Sequence, residues 1–320
     1  MGAGLTVAEG VDVAWLRPAL VGSTACVAAL AACGDDGRPS VPADALGDDA
    51  ITVGSFDFPE SVLLAELYSQ ALEENGFRVE RALGLGPREF VGPALHAGLI
   101  ELVPDYGGTA VAFFSAGAVA PNSDPASNHR ALEDVVAGST ITALDAAPAE
   151  NVNTFVVSED TARRYGLTTL SDLTPVAPEL VLGGPPECAT RQLCQVGLRE
   201  VYGLKFADFV ALEAGGPVTH QAISDGYVDV ALLFSTDPEL VDYVELTDDR
   251  HLQPAENITP LVHAAIVERW GAEVIDAIDA VSHELDTDSL RQLNTLDAAT
   301  PGVDDVAEIA AAWLQAKGLA

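Results

Sequence analysis

Ile51-Thr52-Val53-Gly54-Ser55-Phe56-Asp57-Phe58-Pro59-Glu60-Ser61, running on through Val62-Leu63-Leu64-Ala65-Glu66-Leu67-Tyr68-Ser69-Gln70-Ala71-Leu72, reads as strand, loop and helix. Ile51 to Val53 is a β-branched run that Gly54 and Ser55 break, and beyond Ser61 apolar residues fall at 63, 64, 67, 68, 71 and 72, the helical period. Pro59 and Glu60 suit a first helical turn, where a missing N–H is harmless and a negative charge meets the positive end of the helix dipole. The loop before them sits where an open α/β sheet receives small molecules, outside the carboxyl ends of its strands.

Working outward, Phe77 to Ala82 alternates as a half-buried strand, and Gly84-Leu85-Gly86-Pro87 turns into a helix over Arg88 to Ala97. A dinucleotide fingerprint would need a third glycine where Glu89 stands, so this is a turn. Leu99 to Val103 reads as a strand, and Pro104-Asp105-Tyr106-Gly107-Gly108-Thr109 as a second strand-to-helix loop whose glycines admit a close ligand. An exposed loop over 117–128 runs into a helix over Pro125 to Ala137. Asn151 to Val157 is a strand, followed by a strand and turn at Leu180 to Gly184, a helix over Thr190 to Val201 and a strand at Phe206 to Leu212. Next come a helix over Thr219 to Ser224 and a buried strand at Val228 to Phe234. Ile258 to Val267 reads as a last strand, placed to pair with Asn151 to Val157, and three amphipathic helices over 271–284, 287–297 and 303–317 finish the chain. Strands alternating with helices predict parallel α/β sheets. Two sheets joined by extended crossings near 151 and 258 predict hinged lobes with a cleft between them.

The 320 residues are 48% hydrophobic, enough for real cores, and 15 Lys+Arg against 49 Asp+Glu give a formal net charge of -34. That charge repels phosphate backbones, so nucleic acid is excluded as a partner. Residues 13–32 form an apolar segment behind Arg17, and Leu30-Ala31-Ala32-Cys33 resembles the lipobox of a bacterial lipoprotein signal. The run from Pro18 to Ala32 is short for a membrane span. The resemblance implies a signal peptide over 1–33, lipidation of Cys33, a solvated tether over 34–49 and an extracytoplasmic protein held to the membrane by its lipid. Cys26 and Cys33 fall in the leader, which leaves Cys188 and Cys194 as the one pair in the folded part. Outside the cytoplasm such a pair reads as a disulfide closing a small loop, with two buried reduced thiols as the alternative. The spacing does not suit a zinc site, and none of His96, His129, His220, His251, His263 and His283 is close in sequence, so no metal or other cofactor is expected.

Several motifs occur in order: Gly54-Ser55-x-Asp57-Phe58-Pro59-Glu60, Leu85-Gly86-Pro87-Arg88-Glu89, Pro104-Asp105-Tyr106-Gly107-Gly108-Thr109, Asn153-Thr154-Phe155, Phe234-Ser235-Thr236-Asp237 and Leu246-Thr247-Asp248-Asp249. In this set the chain resembles the substrate-binding proteins of ABC importers for quaternary-ammonium osmoprotectants such as glycine betaine, choline and carnitine. The likeness runs from about Ile51 to Leu319. It implies a two-lobed type II periplasmic-binding fold with two hinge crossings, lobe I being 50–150 plus 258–320 and lobe II 151–257. It further implies a monomeric receptor that delivers its ligand to a membrane permease.

A trimethylammonium group cannot donate hydrogen bonds and is held by the negative faces of aromatic rings. Tyr106, Phe155 and Phe234 fall on the cage positions of the resembled family, with Tyr243 a weaker fourth wall. Thr109 and Asn153 match residues that bond a ligand's polar end, whereas Phe56 replaces a position that is often polar and Pro87 replaces a serine. Asp57, where asparagine is common, reads either as a partner for a net cation or as a helix N-cap. Arg88 and Asp237 read as ions that orient the lobes. No nucleophile elbow, zinc-protease motif or P-loop is present, so an enzyme is not expected. The alternatives are a ligand-sensing lipoprotein using the same cleft, and capture of another small cation such as ergothioneine.

Overall fold

A computed structural model describes residues 49–299 and 303–320. The leader with Cys33 and the tether up to residue 48 lie outside the described residues. The first lobe opens with β1 (Ala50–Gly54), α1 (Pro59–Glu74), β2 (Arg78–Ala82), α2 (Arg88–His96), β3 (Leu102–Tyr106), α3 (Gly107–Phe114), α4 (Pro125–Val136) and β4 (Ile141–Ala143). β1 runs parallel to β2 on one side and to β3 on the other. All six apolar positions of α1 read from the period, Leu63, Leu64, Leu67, Tyr68, Ala71 and Leu72, are buried in the lobe's core. Each large one contributes roughly 1.5–3 kcal/mol by leaving water.

The chain then crosses to β5 (Asn153–Val157), α5 (Glu159–Tyr165), β6 (Val181–Gly184), α6 (Gln195–Tyr202), β7 (Asp208–Ala211), α7 (Pro217–Ser224), β8 (Val230–Phe234) and β9 (Val244–Glu245). The second sheet has the order β7-β6-β8-β5-β9. Side chains of β8 alternate between its faces, Val230 and Leu232 entering one core cluster and Ala231 and Leu233 the other. Phe234 ends that strand on the Leu232 side, at the tip that faces the first lobe.

A second crossing returns to β10 (Ile258–His263), followed by α8 (Ala264–Trp270), α9 (Ala272–Glu284), α10 (Thr287–Ala299) and α11 (Val303–Lys317). Helices α9 to α11 pack on α1. The first sheet thus has the order β2-β1-β3-β10-β4, with β10 antiparallel to both neighbours. Where the crossings touch, the Asn151 N–H donates to the Glu256 carbonyl and the Ile258 N–H to the Ala149 carbonyl, both at 3.0 Å. This short ladder, with its Glu150–Asn257 bridge, is the narrow waist between the lobes.

Four sequence expectations differ from the structure. β10 does not pair with β5; the crossings meet only at the waist and diverge into separate sheets, and the segment beyond His263 is helix. β3 begins and ends three residues later than the apolar run suggests. Leu99 and Gly98 close α2, their N–H groups donating to the Ala94 and Leu95 carbonyls, while the strand runs on through Pro104 to Tyr106. Pro104 is tolerated there because Pro260 stands opposite it, so the two missing donors fall on one rung of the ladder. The sheets are mixed rather than parallel throughout, because β10 and β5 each run antiparallel to both of their neighbours. The helix expected from Thr190 starts only at Gln195, after the loop closed by Cys188 and Cys194. Among the described residues no helix is long and apolar enough to cross a membrane.

Candidate functional site

Four aromatic rings meet between the lobes. Phe56 and Phe58 come from the loop between β1 and α1, which is clamped by serines. The Phe56 N–H donates to Ser61 Oγ at 2.9 Å, and Ser55 Oγ donates to the Phe56 carbonyl at 2.9 Å while accepting the Gly84 N–H at 2.8 Å. Held this way, the two rings lie nearly parallel, their centroids 5.9 Å apart. Tyr106, at the end of β3, stands 5.9 Å from Phe58, and Phe234 stacks on Phe58 from the other lobe at 5.5 Å. Gly215 has φ +68°, and a Cβ there would lie 2.9 Å from the Phe234 ring, so glycine is required for that ring to sit as it does. All four rings line an inner cavity of about 80 Å³. Phe58 and Phe234 also line an outer groove of about 770 Å³, so their stacked pair divides the two spaces.

Beneath the rings lie buried carboxylates. Glu60, in the first turn of α1, accepts from Tyr106 Oη at 2.7 Å, Asn151 Nδ2 at 2.7 Å, Thr236 Oγ1 at 2.5 Å and Asn294 Nδ2 at 2.6 Å. Four donors fill both of its oxygens and join the first lobe, the waist and the second lobe. Burial, and then Glu60 itself, push the Tyr106 phenol well above its ordinary value, so it remains a donor. Arg88 and Asp105 form a buried ion pair at 2.5 Å, and the guanidinium lies 5.0 Å from the Phe56 centroid. Glu256, in the second crossing, accepts the Thr109 N–H at 3.0 Å and also the Thr109 hydroxyl. Asp248 shapes that crossing by accepting the Leu252 and Gln253 N–H groups at 3.0 and 2.7 Å. Burial pushes the Glu256 carboxyl up to about 7, against the opposing pull of the Thr109 bonds. At the far wall Arg191 of the second lobe pairs with Glu89 of the first at 2.8 Å.

Of the residues singled out from sequence, Tyr106, Phe234, Phe56, Asp57, Thr109 and Asn153 all line the inner cavity, and Cys188 and Cys194, joined as a disulfide, form part of its wall. Phe155 does not line it. Phe155 shares a strand face with Asn153 but lies two residues deeper, 1% exposed, in the core cluster behind Leu232 and Cys188. Tyr243 stacks on His220 at 5.7 Å and packs against the cluster on the opposite face of the second sheet. Asp57 is exposed at the cavity rim and does not cap α1, whose N-cap is Phe58 with no side-chain hydrogen bond. Arg88 and Asp237 each pair within one lobe, Asp237 with His220 at 3.1 Å. Gly108 makes room for the chain itself, since a Cβ there would lie 2.7 Å from the Ala255 carbonyl. Sequence reasoning missed Phe58, Glu60 and Glu256 as site residues. The Phe-x-Phe spacing around Asp57 carried a signal for Phe58, because alternate residues of an extended loop share a side; Glu256 carried none.

Residues 49–316 match a family described as the substrate binding domain of an ABC-type glycine betaine transport system. The chain belongs to that family. It is 25% identical over 279 residues to the glycine betaine-binding protein YehZ of Escherichia coli (strain K12), covering 84% of this chain and 90% of that one. It is also 25% identical over 256 residues to the carnitine transport binding protein OpuCC of Listeria monocytogenes, covering 77% and 80% of the two chains. A solved structure described as a glycine betaine/carnitine/choline ABC transporter superposes with a TM-score of 0.65 at 21% identity, covering 84% of this chain and 99% of that one, which establishes the two-lobed fold.

Proposed function

We propose that this protein is an extracytoplasmic receptor that captures a quaternary-ammonium compound between its lobes and delivers it, as a monomer, to an ABC permease. The observation that carries the reading is the convergence of Phe56, Phe58 and Tyr106 from one lobe and Phe234 from the other on a single cavity. Ring faces attract a diffuse cation by roughly 0.5–2 kcal/mol each, most strongly where water is excluded. Phe58 and Phe234 stack between the outer groove and the inner cavity, so a trimethylammonium group enters by parting them. That motion is an opening of the lobes about the waist at 149–151 and 256–258. On reclosure the ligand replaces the direct ring contact, and Glu60 and the Arg191–Glu89 pair again span the lobes.

Calorimetric titration with choline, glycine betaine, carnitine and proline betaine is expected to show saturable one-site binding of at least one of them. Heat no greater than dilution for all four would overturn the reading. Lipid attachment at Cys33 belongs to the same proposal and rests on Leu30-Ala31-Ala32-Cys33. In an expression host that processes lipoproteins, Cys33→Ser is expected to abolish the lipid-modified species in intact mass spectra and release the protein from the membrane fraction. A lipid adduct that persists in the variant would exclude that cysteine.

A further inference from the structure

Glu256 is 1% exposed, yet it lines the same inner cavity as the rings. Both oxygens accept from Thr109, which leaves lone pairs on each. The cations of that wall are committed elsewhere, Arg88 to Asp105 and Arg191 to Glu89 and Glu187, and no ion pair to Glu256 occurs among the described residues. Arg88 attracts Glu256 only through space while its hydrogen bonds go to Asp105, and a buried carboxylate compensated so incompletely is costly until a further positive charge arrives to meet it. The donors that would receive a ligand's own carboxylate already serve other acceptors: Thr109 gives both its N–H and its hydroxyl to Glu256, and Asn153 Nδ2 and Asn151 Nδ2 each commit one N–H, to Gln253 at 3.2 Å and to Glu60.

We propose that Glu256 is the counter-charge that selects a cationic quaternary amine over zwitterions carrying a carboxylate. The inference rests on the quaternary-ammonium reading of the cavity and narrows its ligand class. A cation such as choline is drawn to Glu256, whereas the carboxylate of glycine betaine is repelled by it. The charged groups facing Glu256 are Arg88 of α2, which favours its ionised form, and Asp105 of β3, which opposes it. With the carboxyl titrating at about 7, a bound cation drives off its proton, so choline affinity rises with pH across that value and levels off above it.

The test is calorimetry of the full-length chain with choline and with glycine betaine at pH 6 and 8, in buffers of differing ionisation enthalpy. The wild type is expected to prefer choline and to release protons on binding it near neutrality. Glu256→Gln, which keeps the shape and removes the charge, is expected to weaken choline about tenfold or more, the scale of one pKa unit of differential interaction, and to abolish the proton release. Its glycine betaine affinity should hold or improve. Glu256→Asp retains the charge and should retain the preference, so a folding defect in one variant does not mask the result. If Glu256→Gln leaves both affinities unchanged, or weakens both in proportion, the selectivity role is overturned while the cavity assignment stands. If neither ligand binds the wild type, the quaternary-ammonium reading falls and this inference falls with it.

Discussion

Tyr106→Ala is expected to weaken binding of a quaternary amine by about 2 kcal/mol or more, roughly thirtyfold, because a desolvated ring face is lost from the cavity. Tyr106 does two things that the substitution removes together: its ring stands 5.9 Å from Phe58, and its hydroxyl donates to Glu60 at 2.7 Å. Tyr106→Phe separates them. It keeps the ring and removes one of the four donors to Glu60, so most of the affinity should survive while stability falls by about 1.5–3 kcal/mol, the range for a hydrogen bond to a charged group. Calorimetry for affinity and denaturant unfolding for stability read the two effects independently. Wild-type affinity in Tyr106→Ala would mean that the amine does not lie against this ring.

Phe155→Ala is expected to destabilise the protein by about 3–5 kcal/mol, the usual result of emptying a buried phenylalanine site. The affinity of the folded fraction should change by only a few-fold. The motif resemblance implies a cage role for Phe155, but here two residues of strand, about 7 Å, separate its Cα from that of Asn153 at the cavity. Leu232, its partner across β5 and β8, and Cys188 form the lining in front of it. Urea unfolding together with a ligand titration distinguishes the roles: an undiminished unfolding midpoint with abolished binding would return Phe155 to the cage. The fourth ring of this cavity is Phe58 instead, and its contact with Phe234 joins the two lobes at 5.5 Å.

The features legible in the sequence are those set by neighbours along the chain. The period of α1, the break at Gly54-Ser55 and the continuous apolar run of β8 each follow from residues a few positions apart, and each stands in the structure. Tyr106 and Phe234 end strands, Phe56 and Thr109 follow strands and Asn153 opens β5, so the strand–loop–helix alternation carries all five to the one cavity that they line. Strand extent was less legible at Pro104, where the local rule against a donorless residue was overridden by Pro260 opposite it.

By itself, then, the sequence determined an α/β chain of strand–loop–helix units, two crossings and a set of loop-borne aromatics, because side-chain periodicity and turn chemistry are local. Only the tertiary structure decided that β10 inserts between β3 and β4, that Phe58 rather than Phe155 meets the cavity, and that Glu60 and Glu256 are buried beside the rings. Those outcomes depend on which distant segment covers a given face, and on where burial strips water from a charge. Both are settled when the lobes pack and the crossings meet.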